Sequence, residues 1–146
     1  MNARQVRLVR RRATPAEYLA LRRAVGWRDI PVDVVRRALA NDLHHVCAEV
    51  DGRLVGFGRV VGDGALCFFV EDLMVVPDLQ GQGIGAQLMD AIAMWLDEHV
   101  PKGRMVNLMA APGTVPFYAR YGFHERPADA PGMFRRWGAP DDASPI

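Results

Sequence analysis

Phe68-Phe69-Val70-Glu71-Asp72-Leu73-Met74-Val75-Val76-Pro77-Asp78-Leu79-Gln80-Gly81-Gln82-Gly83-Ile84-Gly85, running on into helix-forming sequence as far as Val100, orders the rest of the chain around itself. Its first part is apolar, β-branched and aromatic, the composition of a strand in a covered sheet. Taken from Leu66, that strand reaches Val76, where Pro77 and Asp78 stop it. Beyond the glycines, Ile84, Leu88, Ala91, Ile92, Trp95, Leu96 and His99 form one stripe at helical spacing. Pro101 ends the helix, because the residue before a proline resists the helical region. Glycines at 81, 83 and 85 let a ligand approach the backbone closely. The unpaired N–H groups and positive dipole end of the helix then make an anion site. The spacing predicts a strand, a phosphate-cradling turn and a helix.

Two common phosphate loops fail on spacing. A Walker loop needs Lys and Ser or Thr after its glycine, and here Ala86 and Gln87 follow Gly85. A dinucleotide fingerprint needs a different glycine spacing and an acidic residue about 20 positions on. The pattern Gln80-x-x-Gly83-x-Gly85 after a Val-x-Pro strand end instead resembles motif A of the GNAT (Gcn5-related N-acetyltransferase) family. Downstream, Phe117-Tyr118-Ala119-Arg120-Tyr121-Gly122-Phe123 resembles that family's FYxxxGF. The resemblance covers about Val6 to Trp137. It implies an α/β (α+β) GNAT fold: a mixed, mostly antiparallel sheet of six to seven strands, about four flanking helices, and a splay between strands four and five that takes acetyl-CoA. One domain over residues 1–137 and a loose tail over 138–146 are expected.

The composition fits such a domain. The chain has 146 residues, half apolar and 24% charged, with a net charge of +1. That length is about one domain with one good core. Near-neutral charge gives no bulk field for nucleic acid or an anionic membrane. Cys47 and Cys67 fit no metal spacing and no disulfide framework, so a reducing cytoplasm is expected. No apolar run approaches membrane-spanning length, and Met1–Arg4 carries no signal-type apolar segment.

The remaining elements follow in order. Gln5–Arg11 reads as a strand with one solvated face, and Arg10-Arg11-Arg12 as its solvated end rather than a nucleic-acid patch. Thr14-Pro15-Ala16-Glu17 is a capping box opening a helix to Val25. A second helix spans Val32–Asn41. His45–Val50, Arg53–Val61 and Leu66–Val76 form an antiparallel meander through the Asp51-Gly52 turn and the Gly62–Gly64 turn. Met105–Ala110 should lie parallel to the Leu66–Val76 strand through a right-handed crossover. Thr114 should cap a short helix that ends at Gly122 in a left-handed C-cap, with Phe123 as its apolar contact. Phe123–Arg126 and Met133–Trp137 read as further strands.

Moving an acyl group from a thioester to an amine requires holding the cosubstrate, deprotonating the amine, stabilising the oxyanion and protonating the thiolate. The Gly81–Gly85 backbone, with Gln80, Gln82, Ile84 and Ala86, is expected to hold the pyrophosphate of acetyl-CoA. The resemblance assigns the oxyanion to main-chain N–H groups at Leu73, Met74 and Val75, near a bulge; fixed donors of that kind need no reorganisation. It assigns Tyr118 as general acid towards the thiolate, against packing beside Phe117 and Tyr121. Glu71 reads two ways, as the general base of a Glu-Asp pair or as a salt-bridged structural carboxylate; a carboxylate in an apolar run is rarely accidental. Strand alternation would put Glu71 on one face with Leu73 and Val75, and Asp72 on the other. Glu49 is a weaker base candidate.

His44, His45, His99 and His124 show no ligand spacing, so no metal is expected. Where relatives carry an Asn against the pantetheine arm, this chain has Ala110-Ala111-Pro112-Gly113-Thr114, which leaves Asn107 or Thr114 as substitutes. The acceptor pocket of such folds is built by loops matching Gly26–Pro31 and Pro127–Met133. There Trp27 and Phe134 offer apolar walls, and Asp29, Asp72 and Asp129 attract a cationic amine. A small-molecule or peptide amine is the expected partner, with a homodimer left open. The competing reading is an acetyl-CoA-binding module without catalysis.

Overall fold

The computed structural model describes residues 5–139, which fall into two compact units, one through Leu108 and one from Met109 onward. The first unit holds β1 (Arg7–Val9), α1 (Pro15–Ala24), α2 (Val32–Ala40), β2 (His44–Val50), β3 (Arg53–Gly62), β4 (Phe68–Val75), α3 (Ile84–His99) and β5 (Asn107–Leu108). Its sheet is ordered β1-β2-β3-β4-β5. The first four strands are antiparallel, and β5 runs parallel to β4 after the α3 crossover. Only Phe69↔Asn107 and Val70↔Leu108 join β4 to β5. Beyond Val70, β4 is paired on its β3 side alone among the described residues. The sheet therefore opens between its fourth and fifth strands, as expected.

The two faces of the sheet are filled differently. Gly56 and Gly58 of β3 lie under α3, where a Cβ would come 3.0 Å from Leu88 Cδ1 and 2.9 Å from Ile92 Cδ1. The missing side chains let the helix settle close to the strand. Ile84, Leu88, Met89, Ile92 and Leu96 form its buried stripe. Trp95 and His99, expected in that stripe, stand at its margin, where the rings of His44, Trp95 and His99 stack at 5.1 and 4.2 Å. On the other face, Tyr18 of α1 packs edge-on to Phe57 of β3 at 5.8 Å. Leu19, Leu21, Val35 and Leu39 complete that layer. The capping box forms as read: Thr14 Oγ1 accepts from the Glu17 N–H at 3.1 Å, and Glu17 Oε1 accepts from the Thr14 N–H at 3.0 Å.

Several expectations need correction. The described residues form five strands rather than six to seven. The first covers Arg7–Val9 instead of Gln5–Arg11, because the next arginines leave the ladder for ion pairs. Arg11 bonds both Glu17 and Glu49, and Arg12 pairs with Asp42. β5 keeps two residues of Met105–Ala110.

In the second unit, α4 (Val115–Ala119) is the one helix among the described residues. Phe123–Arg126 and Met133–Trp137 are not strands. Pro127 and Pro131 remove ladder donors beside them, and the segment between closes as a turn, with the Ala130 N–H on the Pro127 carbonyl at 2.9 Å. Of the expected tail, only Gly138 and Ala139 lie within the described residues.

Candidate active site

After Val75 a 3-10 turn, Pro77–Leu79, buries Leu79 and delivers the chain to the glycines. Gly81 (φ 73°) and Gly83 (φ 85°) are both left-handed, and a Cβ at either would meet nothing within 4 Å. The backbone twist, not crowding, demands glycine, since another L-residue there costs about 1–2 kcal/mol. Gly83 is the N-cap of α3 and supplies no side-chain cap. The first N–H to return is that of Gln87, to the Gly83 carbonyl at 3.0 Å. Helix geometry leaves the N–H groups of Gly83, Ile84 and Gly85 without an intrahelical acceptor. The first turn of α3 contains no acidic residue to compete for the dipole. Open space over the glycines, helix-end N–H donors and a first turn without acidic residues fit a diphosphate. The Gln80 side chain, expected to reach a phosphate, donates from Nε2 to the Val75 carbonyl at 2.9 Å and ties the bend to the strand end. Gln82 Nε2 donates to Asp78 O at 3.3 Å.

In β4 the register jumps from Phe57↔Met74 to Arg59↔Glu71, so β4 carries one extra residue there. Asp72 lies in this bulge with φ 58°. Past it the alternation is regular. The Val76 N–H donates to Val55 O at 2.9 Å, on the β3 side. Counting back, Val75 and Leu73 present their N–H groups to the open side, while Met74 faces β3. Two of the three expected oxyanion donors thus share one edge.

The bulge also overturns the expected separation of Glu71 from Asp72. Glu71 stands opposite Arg59 in register, and Asp72 turns onto the Arg59 guanidinium from the same side, Arg59 Nε to Asp72 Oδ2 at 2.7 Å. Arg22 Nη1 lies 3.8 Å from the other oxygen. These side chains are 9%, 13% and 12% exposed for Asp72, Arg59 and Arg22. Burial pushes the Glu71 carboxyl above its ordinary range; the Asp72 charge adds to the rise and Arg59 opposes it. Burial, with Asp72, pushes the Tyr18 phenol up to about 12. Glu49, the weaker base candidate, is buried and bonded to Arg7 at 3.3 Å and Arg11 at 3.0 Å, an occupied structural anchor.

Arg22 and Arg59 escaped the sequence reading. Arg59 offered a signal, as a cation between Phe57 and Val60 in a buried strand needs a partner. Of the acidic residues expected to attract an amine, Asp29 pairs with Arg23 at 3.2 Å and Asp72 is taken by its two arginines. Trp27 lies 5.5 Å from the Arg22 guanidinium. Cys47 is buried, donates to Arg11 O at 3.2 Å, and its thiol is pushed up to about 11 by burial.

In the second unit, Tyr118 occupies α4 with Phe117 at 5.0 Å. The Phe123 N–H reaches the Tyr118 carbonyl and the Gly122 N–H that of Ala119, while Gly122 has φ 83°. This is a Schellman ending, and the Tyr118–Phe123 ring contact at 6.2 Å is its apolar clasp. The Tyr, Gly and Phe of the FYxxxGF pattern therefore also serve the helix end. The Thr114 hydroxyl, expected to cap α4, donates instead to Ala111 O at 2.6 Å. Asn107 is half-buried in β5, Asp129 is exposed, and Phe134 is 56% exposed.

The chain is similar to known acetyltransferases. The family model for the acetyltransferase (GNAT) domain matches residues 24–132. An uncharacterised N-acetyltransferase, ycf52, of Pyropia yezoensis is 30% identical over 76% of this chain. Serotonin N-acetyltransferase 2 of Oryza sativa is 33% identical over 86%. The chain spans 65% of the length of each. A crystal structure from methicillin-resistant Staphylococcus aureus, described as a probable acetyltransferase, superposes with a TM-score of 0.86 at 29% identity, covering 90% of this chain and 99% of that one. With a domain match over residues 24–132, most of its length, the chain belongs to the GNAT family of acetyltransferases.

Proposed function

We propose that this protein is an acetyl-CoA-dependent N-acetyltransferase that acetylates a primary amine, on a small molecule or a peptide, by direct attack in a ternary complex. The observation that carries the reading is the left-handed Gly81–Gly83 bend opening α3, a main-chain cradle for the diphosphate. Relatives named as N-acetyltransferases support an amine acceptor. The free thiols of Cys47 and Cys67 support a reducing compartment such as the cytoplasm. No helix among the described residues is long and apolar enough to cross a membrane.

Acetyl-CoA supplies the thioester acetyl group. The amine nitrogen forms the new bond to the acetyl carbon while the C–S bond breaks. Glu71, whose carboxyl is held above its ordinary range, takes the proton the amine loses, directly or through water. Main-chain N–H groups of Leu73 and Val75 stabilise the carbonyl oxygen as it gains charge. Tyr118, assigned on its place in the FYxxxGF pattern, returns a proton to the leaving thiolate.

Thiol release from acetyl-CoA over a panel of amines and amino-terminal peptides tests this. Turnover with at least one amine is expected. Tyr118→Phe should then lower kcat by about 10²-fold with little change in acetyl-CoA affinity. Tight acetyl-CoA binding with no thiol released by any acceptor would overturn the reading in favour of a non-catalytic binding module.

A further inference from the structure

We propose that Asp72 is a positioning residue of the acetyl-transfer site, gripped by Arg59 and Arg22 so that the β4 bulge keeps one geometry for the open-edge amides and the Glu71 carboxyl. This rests on the reading of β4 as the catalytic strand given above.

Three observations converge on it. Asp72 holds a left-handed φ of 58° within the strand, where an L-residue stays only if its surroundings determine it. Its two carboxylate oxygens go to two different guanidiniums, Arg59 at 2.7 Å and Arg22 at 3.8 Å, all largely buried. Both arginines are themselves anchored. Arg59 Nη1 donates to Ala38 O of α2 at 3.2 Å, and Arg22 Nε donates to Arg28 O at 2.9 Å. Bulges re-aim side chains and terminate pairing next to active sites. Here the carboxylate of the bulge residue is the knot that ties β4, α1 and α2 together.

The grip also reaches the loop after α1, which the proposed function places beside the acceptor. Arg22 lies 5.5 Å from the Trp27 ring and bonds the Arg28 carbonyl, so one guanidinium spans from the loop after α1 to the bulge. An acceptor that displaces this loop would pull on the same residue that orients Glu71.

Asp72→Asn keeps the shape and tolerates the left-handed backbone, but removes the charge that the arginines hold. In the full chain, kcat for thiol release should fall about tenfold or more while KM for acetyl-CoA changes less than about threefold, because fixed donors act on the developing charge. Backbone amide exchange at Met74 should quicken about tenfold, with Val46 in β2 unchanged. Unchanged kcat and unchanged Met74 exchange in a folded Asp72→Asn protein would overturn the proposal. So would a loss of kcat/KM carried wholly by KM. If Asp72→Asn does not fold, Arg22→Lys, which keeps a charge but not the planar fork, takes the same measurements with the same criteria. If the unaltered protein releases no thiol with any amine, the acetyl-transfer reading fails separately, and Met74 exchange alone decides whether Asp72 holds the bulge.

Discussion

Glu71 is where single-residue chemistry and the order of the sequence meet. A carboxylate between Val70 and Leu73 was conspicuous as a sequence, because charges are rarely buried without a task or a partner. The structure gives it a half-buried position, raised by burial and by Asp72 and opposed by Arg59. As the proposed base, Glu71 works only when deprotonated, so raising its proton affinity moves the acid side of the rate profile upward. With saturating amine, kcat should rise with pH around an apparent value above the ordinary 4.5 for a carboxylate. Glu71→Gln should lower kcat by about 10²-fold and abolish that limb. A persisting limb in the variant would assign the base elsewhere. Asp72 was not legible in the same way. Alternation along a regular strand sends it to the face opposite Glu71. A single left-handed residue reverses that, and a period-two pattern cannot reveal it. Of its partners, Arg59 showed as a cation in a buried strand, whereas Arg22 lies on α1, where an arginine in the last helical turn reads as ordinary.

Among the elements, those with strong local signals were the ones sequence could place. The capping box at Thr14 and the meander through Asp51-Gly52 depend on neighbours a few residues apart, and both form. The α3 stripe forms at Ile84, Leu88, Ile92 and Leu96. Trp95 and His99 depart from it because a flat ring stack with His44 of β2 offers them a partner at the helix margin. That stack makes the β2–α3 contact sensitive to acid. Partial burial, then the charges of His45, His99 and Arg10, lower the proton affinity of His44 below the ordinary 6.5; Asp42 opposes them. The sign follows from linkage. The unfolded chain binds the proton first, so stability is fully present above about pH 6.5 and is lost as pH falls from there through the lowered folded value. Melting temperature should drop as pH falls below about 6.5. His44→Phe, which keeps a ring against Trp95, should flatten that drop; an equally steep drop in the variant would remove His44 as its source. The shortened β5 and the two missing strands were illegible because no local signal reports whether a ladder partner exists. Pro127 and Pro131 were the available warning.

For the molecule as a whole, the family was legible from two short patterns, and the reason lies in the backbone. The alternating glycines are needed for left-handed φ at 81 and 83, and the FYxxxGF glycine closes a Schellman ending at 122. Such positions survive in a sequence as visible glycines, whereas side-chain networks leave no comparable trace. What unites the molecule functionally is the claim that the bend before α3 grips the diphosphate of acetyl-CoA through main-chain donors. The most direct test is a titration of the isotopically labelled full chain with acetyl-CoA, followed at each backbone amide. The largest shifts are expected at Gly81, Gly83, Ile84 and Gly85. Saturable binding that leaves those four amides unmoved, while shifts gather instead in the groove lined by Arg10, His44 and Trp95, would contradict the account.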